Sequence, residues 1–339
     1  MTADVLEVIR PGVLTTVQDL GRPGYLADGI PPSGAFDTAA LKLANLLVGN
    51  APGDYLLVGE DPGAAGLEMT LRGPALRALR DTVIAVTGAD MPLTVNGEPA
   101  PGWTAVLVRA GDEIAIGPAR GGLRGYLAVA GGLDVPVVLG SRATNVRAGI
   151  GGVEGRPLKA GDRLPAGPVT ASAETLAGRR IRPDRIPAPA GAGMELRVVL
   201  GPQDHLFTPD SVRTFLTADW KLSPVSDRMG CRCVGPALSF LPRPGYLTRQ
   251  AGSDPSNIVD DAICVGSIQV PSGLEPIVMG VDGPSLGGYA KVATVISPDL
   301  SRLAQARPGD LVRFRAVDAD EAHDLHIAAR AVGTEADLA

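Results

Sequence analysis

Histidine, cysteine and aromatic side chains are all scarce in this chain, with three histidines, three cysteines and 4% aromatics in 339 residues. Each shortage removes a class of explanation. His205, His323 and His326 leave few candidates for a histidine-based triad or a His-rich metal centre, and neither H-E-x-x-H nor G-x-S-x-G occurs. His323 and His326 fall on the tail segment 318–332, where a solvated helix face accounts for them. An odd, small cysteine count fits a reducing compartment better than a disulfide framework. Cys231-x-Cys233 is not C-x-x-C, so Cys231, Cys233 and Cys264 are expected as small buried or half-buried residues, and no metal site is expected. No apolar run approaches the ~18–20 residues that span a bilayer. The opening "MTADVLEVIR" has no basic segment leading into an apolar one, so no secretory signal is expected. Basic runs are equally short: the net charge is −6 and only "GRRIRPDR" (178–185) stands out. These absences point to a soluble, cytoplasmic protein with neither a nucleic-acid nor a membrane partner.

What the chain has in quantity is glycine (44) and proline (30), spread among apolar segments. That pattern predicts many tight turns between short strands. With few aromatics, Val, Leu, Ile and Ala must fill the core. Strands are predicted at 82–88, 104–111, 125–132, 275–283 and 289–297. Helices are few. "DTAALKLANLLVGN" (37–50) has Asp37 to cap its start and Gly49 to stop it. "TPDSVRTFL" (208–216) and "SPDLSRLAQ" (297–305) each place a hydroxyl residue at the cap and proline after it. Residues 318–332 predict a last helix. Three runs echo one another: "RAGDEIAIG" (109–117), "KAGDRLPAG" (159–167) and "RPGDLVRFR" (307–315), each a Gly-Asp turn entering an apolar stretch. The Pro/Ala-rich segment 165–193 reads as a linker. The expected organisation is two mainly-β subdomains, 1–164 and 194–339, each a β-barrel with a few short helices, the second ending in the C-terminal helix.

The stretch "GPSLGGYAK" (283–291) invites comparison with a phosphate-binding loop, but lysine does not follow the last glycine directly, and "YAKVATVIS" reads as a strand where a helix is required. A turn whose glycines permit positive φ is the expectation, leaving Lys291 on a strand that faces a cavity. Elsewhere, the long polar loop 15–37 offers Gln18, Asp19, Arg22, Ser33 and Asp37, the last also readable as a helix cap. Asp227 and Arg228 form either a structural pair or an anion-binding fork. Ser253, Asp254, Ser256 and Asn257 lie in turn chemistry. Gln269, inside an apolar strand, is either a structural bridge or a substrate ligand.

"TTVQDLGRPGY", "SGAFD", "RGYLAVAGGLDVPVVLGSR", "GPQDHLF", "SDRMG", "SDPSNIVDDAICVGSIQVPSG", "GVDGPSLGGYAKVATV" and "RPGD" occur in that order over about residues 5–316. In this the chain resembles the biotin-dependent carboxyltransferase-related family, also called allophanate hydrolase subunit 2 or KipA-like, which includes the C subunit of bacterial 5-oxoprolinase. It departs from that pattern at Phe36, at the cysteines of "MGCRC" and at Ala143, none of which removes a charged group. The resemblance implies two cyclophilin-like β-barrel subdomains and a KipI-like partner. It further implies one of three roles: a subunit of an ATP-dependent 5-oxoprolinase acting with KipI-like and LamB/YcsF-like partners on a small cyclic amide; the carboxyltransferase half of a biotin-dependent urea or amide carboxylase; or a KipA-like regulator of a kinase inhibitor. No biotinyl-lysine motif or ATP-grasp module is recognised in the chain. On the matching motifs Asp37, Arg228, Gln269 and Lys291 are the candidate catalytic groups. Ser33, Arg142, Asp227, Ser253 and Ser256 are the candidate substrate-binding groups. Cations and amide donors would hold developing negative charge on a carboxylated or phosphorylated amide; a carboxylate would orient an N–H or take a proton.

Overall fold

The computed structural model describes residues 3–54, 61–187, 193–243 and 245–339. It divides into two compact units: Met1–Gly24, Ser33–Pro189 and Ala331–Ala339 form one, and Tyr25–Pro32 with Ala190–Arg330 form the other.

The first unit is built from two antiparallel sheets. One runs in the order Arg163–Ala166, Ala3–Arg10, Ala75–Ala78, Glu113–Ile116, Leu93–Val95, Glu98–Ala100. The other runs Leu14–Gln18, Gly66–Thr70, Gly121–Val129, Thr82–Asp90, Ala105–Val108. Aliphatic side chains of both sheets, among them Leu6, Val8, Leu76 and Ile114 with Leu67, Met69, Ile84 and Leu127, meet in one buried cluster. The expected barrel is therefore corrected here to two facing open sheets. The physical reason lies in the corners. The chain turns from one sheet into the other at 11–13, 71–74 and 117–120, so neighbouring strands in sequence fall in different layers and no hydrogen-bonded ring forms among the described residues. The helix Thr38–Leu47 lies on the five-stranded sheet, with Leu43 and Leu47 packed among Val83, Ala85 and Ala128.

The second unit holds a closed seven-stranded barrel: Met194–Leu200, Lys291–Val295, Ser267–Gln269, Ile277–Met279, Gly230–Val234, Trp220–Leu222 and Leu311–Ala316, which returns to the first. All its pairings are antiparallel except the closing one, where Met194 to Val198 runs parallel to Val312 to Ala316. Trp220, Phe215 and Phe314 supply the aromatic part of its core, the two phenylalanine rings stacked at 4.5 Å. A separate two-stranded ribbon pairs Asn257–Ala262 with Leu286–Tyr289.

The helices form where turn chemistry predicts them. Asp37 accepts from the Ala40 amide and Thr208 from the Ser211 amide. The helix Ser297–Ala304 differs in detail: its cap is Ile296, and Ser297 is already helical. The tail helix covers Ala319–Arg330. The three Gly-Asp echoes share one turn. Gly111, Gly161 and Gly309 take φ of +95°, +89° and +94°, and Asp112, Asp162 and Asp310 each accept from the amide three residues earlier before a strand begins. Cys231 and Cys233 are buried, but Cys264 is exposed, against expectation, with Sγ 3.2 Å from Ser267 Oγ. Among the described residues no helix is long and apolar enough to cross a membrane.

Candidate functional site

Lys291 opens a barrel strand, opposite Gln269 on the neighbouring strand. Both are buried. The Lys291 ammonium donates to Asp261 Oδ2 and to the Ala262 carbonyl, each at 2.6 Å. Gln203 braces the same place from the other side. Its amide nitrogen donates to Asp261 Oδ2 at 2.9 Å, and its carbonyl accepts from the Lys291 backbone at 3.1 Å. Gln269 donates to the Tyr289 carbonyl at 3.4 Å. The Lys291 ammonium, and after it the Gln203 amide, hold the Asp261 carboxyl below the usual carboxylate range. An open cleft of about 540 Å³ lies beside the ribbon, lined by Asn257, Val259, Asp260, Gly288 and Tyr289 among others; Lys291 is not part of its lining.

The glycines between Gly283 and Lys291 serve a different purpose from the one expected. None of Gly283, Gly287 and Gly288 has positive φ. Instead the space around them is tight. A Cβ on Gly287 would stand 2.7 Å from both Gln269 Nε2 and Ile263, and one on Gly283 would stand 3.0 Å from the carbonyl oxygens of Gly280 and Met229. Gly288 faces Asp260 Oδ1 at the same 3.0 Å. Carbonyls and a carboxylate around the loop, and a strand after it, do not fit an ATP phosphate.

Arg228 forks onto Asp282, 54 residues away in sequence, at 2.7 and 3.2 Å. Its neighbour Asp227 turns away to accept from the Met229 and Gly230 amides. The register places this pair at the opposite end of the Ile277–Met279 strand from Gln269, since Gln269 pairs with Ile277 while Gly230 pairs with Met279. Ser256 joins a third group: Asp254 accepts from the hydroxyls of Ser256 and Ser272, at 2.7 Å each, and these bonds hold its carboxyl low. Ser256 also accepts the Ala290 amide through its backbone carbonyl, one residue from Lys291. Ser253 is exposed and makes no hydrogen bond among the described residues.

The other three candidates lie in the first unit. Ser33 is buried at φ +55° and accepts from Asn145. Asp37 caps its helix, and its own amide donates to the Tyr126 hydroxyl at 2.8 Å. Tyr126 in turn donates to Glu68, which also receives the Phe36 amide and lies 3.7 Å from the Arg124 guanidinium. Burial, with Glu68 and Asp37 nearby, pushes the Tyr126 phenol well above its ordinary range. Arg142 binds Asp134 at 2.6 Å and the Val135 carbonyl, while its amide donates to the buried Asp19. Burial raises the Asp19 carboxyl despite its bonds from Ser141, Arg142 and Gly21.

Residues 28–316 match the carboxyltransferase domain family, subdomains A and B. The chain belongs to that family. A urea amidolyase of Lachancea kluyveri is 36% identical over 328 residues, which is 94% of this chain and 17% of the relative. The carboxyltransferase-family chain thus spans about a sixth of the length of that relative. The C subunit of 5-oxoprolinase from Escherichia coli strain K12 is 35% identical over 319 residues, covering 94% of this chain and 93% of the relative. Among solved structures, the Kluyveromyces lactis urea carboxylase superposes with a TM-score of 0.88 at 32% identity, over 100% of this chain and 30% of that one.

Sequence reasoning passed over two residues of the Lys291 group, Asp261 and Gln203. Both sit inside the quoted motifs "SNIVDDAICVG" and "GPQDHLF". The available signal was Asp260–Asp261 in mid-strand, where an acidic pair inside a β-rich run needs a partner.

Proposed function

We propose that this carboxyltransferase-family chain acts as the C subunit of a 5-oxoprolinase, in which KipI-like and LamB/YcsF-like partners complete an ATP-dependent hydrolase that opens a small cyclic amide. The observation that carries this reading is the identity to a 5-oxoprolinase C subunit along nearly the whole of both chains. Lys291 and Gln269 are assigned the recognition of the substrate, the ammonium meeting its carboxylate and the amide its lactam group. Arg228, Arg142, Asp37 and Asp227 already serve their own loops through the bonds described, and are assigned to holding them. Ser33 and Ser256 are assigned to shaping their own loops through the bonds described, and Ser253 is assigned no role in recognition. ATP serves the complex in this reading, and the loop before Lys291 is not assigned to it.

The superposition on a urea carboxylase supports a second reading, the carboxyltransferase half of a biotin-dependent carboxylase. Biotin would then supply the mobile carboxyl group, and Lys291 with Gln269 would hold the acceptor amide.

Co-expression with neighbouring KipI-like and LamB/YcsF-like proteins tests the first reading. The expected result is 5-oxoproline-dependent ATP hydrolysis by the mixture and by no component alone. Hydrolysis no greater than the sum of the separate components overturns it. Avidin-sensitive, urea-dependent turnover with an added biotin carrier would establish the second reading instead.

A further inference from the structure

The Lys291–Asp261 pair is lopsided. The lysine side chain is 2% exposed and its carboxylate partner 44% exposed. Lys291 belongs to the closed barrel, whereas Asp261 belongs to the two-stranded ribbon, whose register slips between Asn257 and Asp261. The two strands share no ladder; the Lys291 ammonium on Asp261 and Ala262 joins them, with the Ala290 amide on the Ser256 carbonyl holding the start of the ribbon beside the barrel. An ammonium carries three N–H donors. Among the described residues two of them have acceptors, Asp261 and the Ala262 carbonyl. A cation out of water needs an anion beside it at all times. Here that anion is within reach of solvent, and any solute carboxylate meeting the ammonium competes with it directly.

We propose that Asp261 is a displaceable counter-ion, a positioning residue that holds Lys291 until the carboxylate of a small amide substrate takes its place on the ammonium. The substrate class follows: an anionic amide is selected over a neutral one of the same shape, because only the anion keeps Lys291 paired after Asp261 has left. Gln203, bonded to the same Asp261 oxygen, sets how readily the carboxylate lets go. The inference rests on the amide-substrate reading above.

The test is binding of 5-oxoproline to the full chain by calorimetry, with neutral 2-pyrrolidinone as the comparison. Asp261→Asn is expected to tighten 5-oxoproline by about tenfold, the size of one lost competing charge contact, and to leave 2-pyrrolidinone unchanged. Lys291→Gln is expected to abolish the preference for the anion. A merely structural Asp261 predicts unchanged or weaker binding, and that result in a folded variant overturns the proposal. So does equal tightening of the neutral lactam, or no binding of 5-oxoproline by wild type and variant alike. Should Asp261→Asn not fold, Gln203→Ala keeps the charge and loosens its tether; it is expected to tighten 5-oxoproline less, in the same direction, and no tightening overturns the proposal. Tightening without 5-oxoproline-dependent ATP hydrolysis by the reconstituted complex would sink the functional reading and leave the counter-ion exchange standing. Hydrolysis without tightening sinks the exchange alone.

Discussion

Each unit takes a charged side chain out of water, and each closes the resulting pair in its own way. Glu68 and Arg124 in the first unit are 2% and 5% exposed, with Tyr126 and the Phe36 amide completing the acceptor's shell. Lys291 in the second is as deeply buried, but Asp261 stays in contact with solvent. A pair enclosed on both sides can only hold a structure together, since any change leaves a bare charge inside. A pair open on one side can change partner. The same chemistry therefore marks scaffold in one place and a candidate site in the other, and the difference lies in the exposure of the second partner.

The comparison can be broken most directly at its two buried members. Lys291→Ala is expected to lower turnover of the assembled complex by about 10²–10³-fold, the usual loss when a charge-stabilising donor is removed from a site. Assembly, followed by size-exclusion chromatography, is expected to persist. Wild-type rates would place Lys291 with the scaffold. Glu68→Ala is expected to cost about 3–5 kcal/mol of stability, because Arg124 loses its counter-charge and Tyr126 its acceptor. Urea denaturation of the chain reads this; a loss below about 1 kcal/mol, typical of exposed pairs, would remove the contrast.

Acid titration sharpens the contrast with a smaller effect of opposite sign in the two units. The Asp261 carboxyl is held below its unfolded value of about 3.9. Its contribution to stability is in place above that value and disappears as pH falls through the folded one. The Asp19 carboxyl is raised by burial, so its ionised form opposes folding at neutral pH, and protonation relieves this as pH falls through the raised value. As pH falls below about 4, the stability advantage of wild type over Asp261→Asn is expected to shrink; above about 4, as pH falls through the raised Asp19 value, that of wild type over Asp19→Asn is expected to grow. Parallel trends in urea midpoints would mean that the two carboxylates occupy equivalent settings.

Local chemistry was legible in the sequence at several caps and turns. Asp37 and Thr208 cap their helices, the three Gly-Asp turns recur, and the strand after "GPSLGG" rules out a phosphate loop. Legibility ended where partners are distant. Arg228 finds Asp282 and Lys291 finds Asp261, 54 and 30 residues away, and no spacing rule announces either. The glycines of 283–288 were readable as special but not why: they sit in tight contact with Gln269 and neighbouring carbonyls and do not take up left-handed backbone. The mainly-β character and the closed barrel of the second unit were legible, whereas the full set of strands and the open sheets of the first unit were not. Whether a run of short strands forms one ring or two layers depends on which corners turn, and corners such as 71–74 carry the same Gly-Pro signal as any other turn.

The parallel seam of the barrel has a consequence for engineering. Because Met194–Leu200 and Leu311–Ala316 run side by side in the same direction, the first strand starts and the last strand ends at opposite rims. Linking those two strand ends directly needs a bridge along the barrel wall, about 20 Å for six strand residues at ~3.3 Å each. A two-residue loop that would serve an antiparallel seam is too short. New ends are better cut in the hairpins between the antiparallel strands, where opening the chain leaves every strand of the ring in place.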